Sequence, residues 1–177
     1  MLDSQDAKAL TIAGHVRAFL HHRWREGLSL HDRALMVNPN LAMAWAMSGA
    51  VFVYMGDVAE AERRMTRYKK LSPLDPHAFF YDTVFIMIAL LQRDFEKAVT
   101  VGRAVSELNL SFSSSCRFYL SALGHLGRQE EIEVVRDRLL LLEPEFSIGR
   151  FIEGSVFERV GDRDVVAEGL RLAGIPE

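Results

Sequence analysis

The sequence predicts an all-α chain built from stacked helical hairpins. Apolar residues recur at spacings of three and four along its length, and no segment shows the sustained alternation that a half-buried strand requires. Turn signals such as Gly56-Asp57, Arg93-Asp94 and Gly127 cut that pattern into pairs of helices. The pairs recur in five frames, 8–41, 42–75, 79–112, 113–146 and 147–177, the last one shortened. Seven leading residues and the insertion Pro76-His77-Ala78 are all that falls outside the frames, so the chain reads as one solenoid domain over 1–177.

The frame 42–75 shows the logic of the unit. Its first helix, about Ala42 to Tyr54, is apolar nearly all round and must be covered on several sides by neighbours. Gly56 supplies the left-handed residue that stops it. Asp57 then caps the second helix, with Glu60 three residues on in a capping-box arrangement. Ala61, Met65, Tyr68 and Leu71 follow on one face. Gly49 and Ala61 are small, so the two helices can approach closely, with Trp45 expected to pack between them. Pro73 ends the second helix, and Asp75-Pro76 keeps the following residues extended.

The other frames repeat these positions. Frame 8–41 has Gly27 where Ala61 stands and Pro39 where Pro73 stands. Frame 79–112 has Arg93-Asp94 at the turn and Ala98 at the alanine position, and frame 113–146 has Gly127, Ile132 and Pro144 in the corresponding places. The last frame sets Gly154, Phe157 and the pair Gly161-Asp162 where Gly49, Phe52 and Gly56-Asp57 stood, which predicts a fifth inter-helix turn at 161–162.

Composition narrows the function classes. With 177 residues, 49% hydrophobic and 25% charged, the chain can bury a core. A net charge of −3 gives no general attraction to a phosphate backbone, so nucleic acid is not an expected partner. The longest uncharged apolar run, Val84 to Leu91, is eight residues, against roughly twenty for a membrane-spanning helix. A lone cysteine and an N-terminus, Met1-Leu2-Asp3-Ser4-Gln5-Asp6, without a basic start or apolar stretch make a reducing cytoplasm the expected location.

Trp45, Gly49, Phe52, Ala61, Met65 and Pro73, the last five at offsets 4, 7, 16, 20 and 28 from the tryptophan, resemble the tetratricopeptide repeat (TPR) pattern, which this frame departs from at Ser48 and Tyr68. The resemblance implies a tetratricopeptide-type solenoid, a right-handed superhelix of about five motifs. It also implies a non-catalytic protein–protein interaction module that needs no cofactor. Four stretches, Thr11 to Leu20, Ala34 to Trp45, Leu71 to Pro76 and Glu168 to Glu177, look like something narrower. They are similar to the C-terminal TPR region of bacterial signalling proteins that carry a class III adenylate cyclase domain or a winged-helix DNA-binding domain. The implied alternative is a regulatory or sensory segment whose catalysis or DNA binding resides in another domain.

Candidate chemistry within the chain is sparse. His21, His22 and His31 form the densest histidine cluster, yet Glu26 alone of the Cys, Asp and Glu residues stands three or four residues from the adjacent pair, too little to complete a tetrahedral metal site. The pair is placed at the end of a first helix, where a cation suits the dipole. Cys116 falls at the tryptophan position of its frame and is expected to be a buried, inert thiol. The run Arg63, Arg64, Arg67, Lys69 and Lys70 follows Glu60 and Glu62 on a second helix and reads as a solvated face. Gly124-His125-Leu126-Gly127 reads as an inter-helix turn, and Glu130, Glu131 and Glu133 as the acidic opening of a helix.

The family resemblance implies a concave groove lined by set positions of each first helix. In the second frame these are Met43, Ala46, Met47, Ala50, Val53 and Tyr54; in the third, Phe80, Thr83, Val84, Met87, Leu90 and Leu91. The charged clamp of chaperone-binding relatives is absent at these positions, Arg117 in the fourth frame being the one comparable charge. The groove is instead apolar and rich in methionine, a surface that re-packs around helical partners or a second copy of the chain. Met43, Met47, Tyr54, Phe80, Met87 and Arg117 are the expected partner-binding residues. The alternative is that they are core, covered by superhelical closure or by the N-terminal residues.

Overall fold

The computed structural model describes residues 6–177. Segment 1–5, which carries most of the N-terminal reading above, lies outside the described residues. Every regular element among the described residues is helical, and these helices form hairpins as the period predicts. They fall into two compact units, one holding residues 1–75 with 156–158, the other 76–155 with 159–177.

The first unit contains α1 (Ala7–Phe19), α2 (Trp24–Val37), α3 (Ala42–Tyr54) and α4 (Val58–Leu71). α1 packs on α2, α3 on α4, and α3 also meets both α1 and α2. The second hairpin follows its sequence closely. Gly56 takes φ 75, and the Asp57 side chain accepts from Glu60 N–H at 3.2 Å. The return arm of the capping box is not made. Asp57 N–H donates to Phe52 O at 2.9 Å, while the Glu60 carboxylate accepts from Arg63 and Arg64. Ala61 and Met65 are fully buried, and a Cβ on Gly49 would stand 3.0 Å from the Met65 sulfur, so the expected close approach of α3 and α4 is real.

In the first hairpin the glycine that permits the crossing is Gly14, one residue earlier than the frame places it. A Cβ on Gly14 would meet Gly27 O at 2.8 Å, and one on Gly27 would meet Gly14 O at 2.7 Å. The cause is a connection of four residues, 20–23, against three at 55–57. His21 and His22 therefore lie beyond α1 in the turn, where His22 adopts φ 53 and stacks on Trp24 at 5.8 Å. Segment 156–158 completes this unit. Trp24 Nε1 donates to Val156 O at 3.0 Å, and Glu158 N–H donates to Tyr54 O at 2.8 Å.

The second unit contains α5 (Ala78–Tyr81), α6 (Thr83–Leu91), α7 (Phe95–Leu108), α8 (Ser113–Leu126), α9 (Gln129–Leu142), α10 (Ile148–Glu153) and α11 (Val160–Leu172). α5 and α6 are one helix interrupted at Asp82, next to which the Thr83 hydroxyl donates back to Phe79 O at 3.0 Å. Arg93 takes φ 58 at the place Gly56 holds in its own frame, and the Asp94 side chain caps α7. Gly124, His125 and Leu126 belong to α8, so the predicted turn contracts to Gly127 and its flanks, with Gly127 at φ 64.

The fifth frame departs most. Its first helix, α10, stops at Gly154, and Gly161-Asp162, expected at a turn, lie inside the first turn of α11. Segment 156–158, which the frame makes helical, spends its backbone groups on Trp24 and Tyr54 instead. α11 then packs against α8 and α6, the first helices of their frames, in place of a hairpin with α10 alone.

Candidate functional site

Where the expected groove residues lie depends on the unit. In the second unit α11 occupies the groove side of α8. Ser121 Oγ donates to Val166 O at 3.0 Å, and His125 Nε2 lies 2.8 Å from Val165 O. A Cβ on Gly124 would overlap the Gly169 carbonyl. Met87 is 3% exposed, and Val84, Ala89 and Leu90 are buried with it, so this stretch of α6 presents core rather than a surface. Phe80 is half-buried in an aromatic cluster, edge-on to Tyr81 at 5.3 Å and to Phe112 at 5.8 Å. Arg117 pairs with Glu143, and its guanidinium stands 5.1 Å over the Phe146 ring, so its charge is already engaged.

In the first unit the corresponding helices carry apolar surface. Met43 and Met47, four apart on α3, are half-buried, and Tyr54 is buried with its ring 6.4 Å from Phe19. α1 buries Ala7, Leu10, Thr11, Gly14 and Ala18 and turns a different stripe outward. That stripe is Ile12, Val16 and Phe19, spaced by four and three, with Leu20 just beyond the helix; Ile12 is 54% exposed and Leu20 65%. Sequence reasoning from the second and third frames missed these four residues. Their helical spacing in the first frame is the signal that finds them.

The electrostatics of this unit concentrate on Arg64. It is buried, not solvated as its place in the basic run suggested, and it donates to Glu60 at 2.9 Å and to Asp32 at 3.0 Å. Its guanidinium also stands 4.8 Å over Phe52 and 5.6 Å over Trp45. Trp45 is half-buried rather than fully enclosed, with Nε1 donating to Pro39 O at 2.8 Å. Hydrogen bonds from Arg63, then Arg64, hold the Glu60 carboxyl down at about 2 despite its partial burial. His31 is fully buried with no hydrogen-bond partner for either ring nitrogen, and burial, followed by the nearby His15 and Arg64, drives its pKa down to about 3.

No group of three or more His, Cys, Asp or Glu able to hold a metal ion occurs among the described residues. Burial pushes the Cys116 thiol up, opposite to what a reactive cysteine needs. Glu131 accepts from Tyr119 at 2.9 Å and from Arg103 at 2.5 Å, tying α7, α8 and α9 together. No helix among the described residues is long and apolar enough to cross a membrane.

No protein-family model matches the chain, and no curated protein matches it. Among solved structures it is similar to the crystal structure of YrrB, a TPR protein with an unusual peptide-binding site, at 15% sequence identity. The likeness covers 97% of this chain and 86% of that one with a TM-score of 0.60. At that identity it carries the fold, and the chain is accordingly an all-helical protein of TPR-like helical-hairpin repeats.

Proposed function

We propose that the chain is a non-catalytic protein-interaction module that receives an apolar helix or peptide on the first unit, along Ile12, Val16 and Phe19 of α1 and Met43 and Met47 of α3. One observation carries the reading. The same kind of surface in the second unit, on α6 and α8, is filled by an amphipathic helix of the chain itself, α11, whereas on α1 the stripe stands exposed. Flexible methionines and an aromatic at helical spacing suit a partner helix, or a second copy of the chain, better than they suit water. Of the groove residues expected from sequence, Met43 and Met47 remain with this proposal, whereas Tyr54 is buried and packs within the unit. Met87 enters it only if α11 leaves its seat, and Phe80 and Arg117 only if they give up their present contacts, with Tyr81 and Phe112 and with Glu143 and Phe146.

The test is a double variant, Ile12→Glu with Met47→Glu, compared with the parent by sedimentation velocity and by affinity capture from native extract. The proposal expects the helical signal to persist while self-association or the captured partner is lost. A variant that stays folded and keeps the same partner places the interaction elsewhere. The resemblance of Ala34 to Trp45 and of Glu168 to Glu177 to regulatory TPR regions supports a second reading, in which this module serves a larger signalling protein. A cyclase or winged-helix domain in the same reading frame decides it.

A further inference from the structure

A second surface of the first unit has a different chemistry. Along the outer side of α4 lies a groove of about 570 Å³, walled by Trp45 and by Glu62, Arg63, Thr66, Arg67 and Lys70. Three cations face one carboxylate there, on a chain whose net charge is −3. We propose that this groove binds an acidic segment of a partner polypeptide, two to four carboxylates around one apolar side chain.

The partners of the lining residues favour this. Lys70 has no ion-pair partner among the described residues, and the Arg67 guanidinium is held by a 3.3 Å bond to the neutral Asn40 amide, a weak bond that a carboxylate displaces. Arg63 is paired with Glu60, which offsets its charge, so the positive field of the groove rests on Arg67 and Lys70. The indole of Trp45 is fixed from within its own fold, by Pro39 O at one edge and by the Arg64 guanidinium, so it offers a rigid apolar wall at little entropic cost. The aliphatic stems of Arg67 and Lys70 extend that wall while their charged ends reach solvent.

Size separates a polypeptide from a nucleic acid. The lining of α4 runs from Ala59 to Lys70, roughly 16 Å at the helical rise, which accommodates about five extended residues. A phosphate backbone carries charge without interruption and gains affinity by neutralising many phosphates in a row. Here Glu62 interrupts the patch, and the chain as a whole is acidic. A short segment with a few carboxylates fits that field, in the manner of acidic motifs read by clustered arginines.

The experiment uses the full chain and isothermal titration with an acetylated, amidated peptide, Glu-Glu-Leu-Glu-Glu. Binding should weaken at least tenfold in the double variant Arg67→Glu with Lys70→Glu, fall with added salt, and be absent for the matching Lys-Lys-Leu-Lys-Lys peptide. Both substituted side chains are exposed, so circular dichroism should be unchanged. The Ile12→Glu, Met47→Glu variant should bind the acidic peptide as the parent does, which keeps this site separable from the apolar face of α1 and α3. Absence of binding by the parent, or binding indifferent to the charge reversal, overturns the proposal. Binding of hexathymidylate at least as tight as the acidic peptide overturns it in favour of nucleic acid.

Discussion

Gly124 and Gly169 cross with no room for a side chain between them. A Cβ built on Gly124 stands 1.9 Å from Gly169 O, and one built on Gly169 stands 2.2 Å from Ser121 O. The crossing seats α11 on α8 and, with the Ser121 and His125 bonds, turns the groove of the second unit into core. Gly124→Ala should therefore cost at least the roughly 1–3 kcal/mol typical of overpacking. Hydrogen exchange should show α11 losing protection before α8 does, because α8 keeps its packing on α7 and α9.

Ala61→Leu makes the corresponding test in the first unit. Ala61 is fully buried beside Gly49 and Met65, and three added carbons have no space to enter. Urea denaturation should show a loss of roughly 1–3 kcal/mol. A variant as stable as the parent would contradict the close packing of α3 on α4.

His31 predicts acid sensitivity of the first unit. Its folded pKa of about 3 lies below the 6.5 of an unfolded histidine, so the unfolded chain takes up the proton first. Stability present above pH 6.5 is lost as pH falls towards 3, at about 1.4 kcal/mol per unit, or about 2 kcal/mol at pH 5. Glu60 adds to this only at lower pH, because a carboxyl held at about 2 loses its contribution between 4.5 and 2. Denaturation at pH 7.5 and pH 5 should show His31→Leu with the smaller pH dependence. Equal dependence in parent and variant would remove His31 as the cause.

Asp57→Ala removes the side-chain acceptor for Glu60 N–H at the start of α4. A loss of about 1 kcal/mol is expected by thermal or urea denaturation.

Cys116 is fully buried and its thiol is raised by burial. A thiol reagent should leave it unmodified in the native chain and react at the rate of unfolding, so denaturant should accelerate the reaction. Rapid native modification would place the thiol at the surface.

The hairpins are legible in the residues because their signals are local. Gly56 and Gly127 supply left-handed stops, Asp57 and Asp94 cap the helices that follow, and Pro73 stands just past the end of α4. Each works within a few residues of the bond it makes, so a linear pattern carries it. Burial of the apolar α3 and the small residues at Gly49 and Ala61 follow from the same pattern, since a helix that is apolar all round has no stable alternative to being covered.

The choice of which surface stays open required contacts between residues far apart in the chain. The pattern that makes Gly161-Asp162 a turn is satisfied equally well by the opening of α11, and what decides between them is the engagement of 156–158 by Trp24 and Tyr54. Val84 and Met47 occupy equivalent positions on the first helices of their frames, yet Val84 is core and Met47 half-buried, and the groove of the second unit closes because α11 has glycine where α8 has glycine and can lie against it. Arg64 reads as one charge in a basic run, and becomes buried because Asp32 of α2 and Glu60 offer it carboxylates. Helical periodicity states which residues share a face. What covers that face is a matter of steric fit and charge pairing between distant segments, which no local spacing encodes.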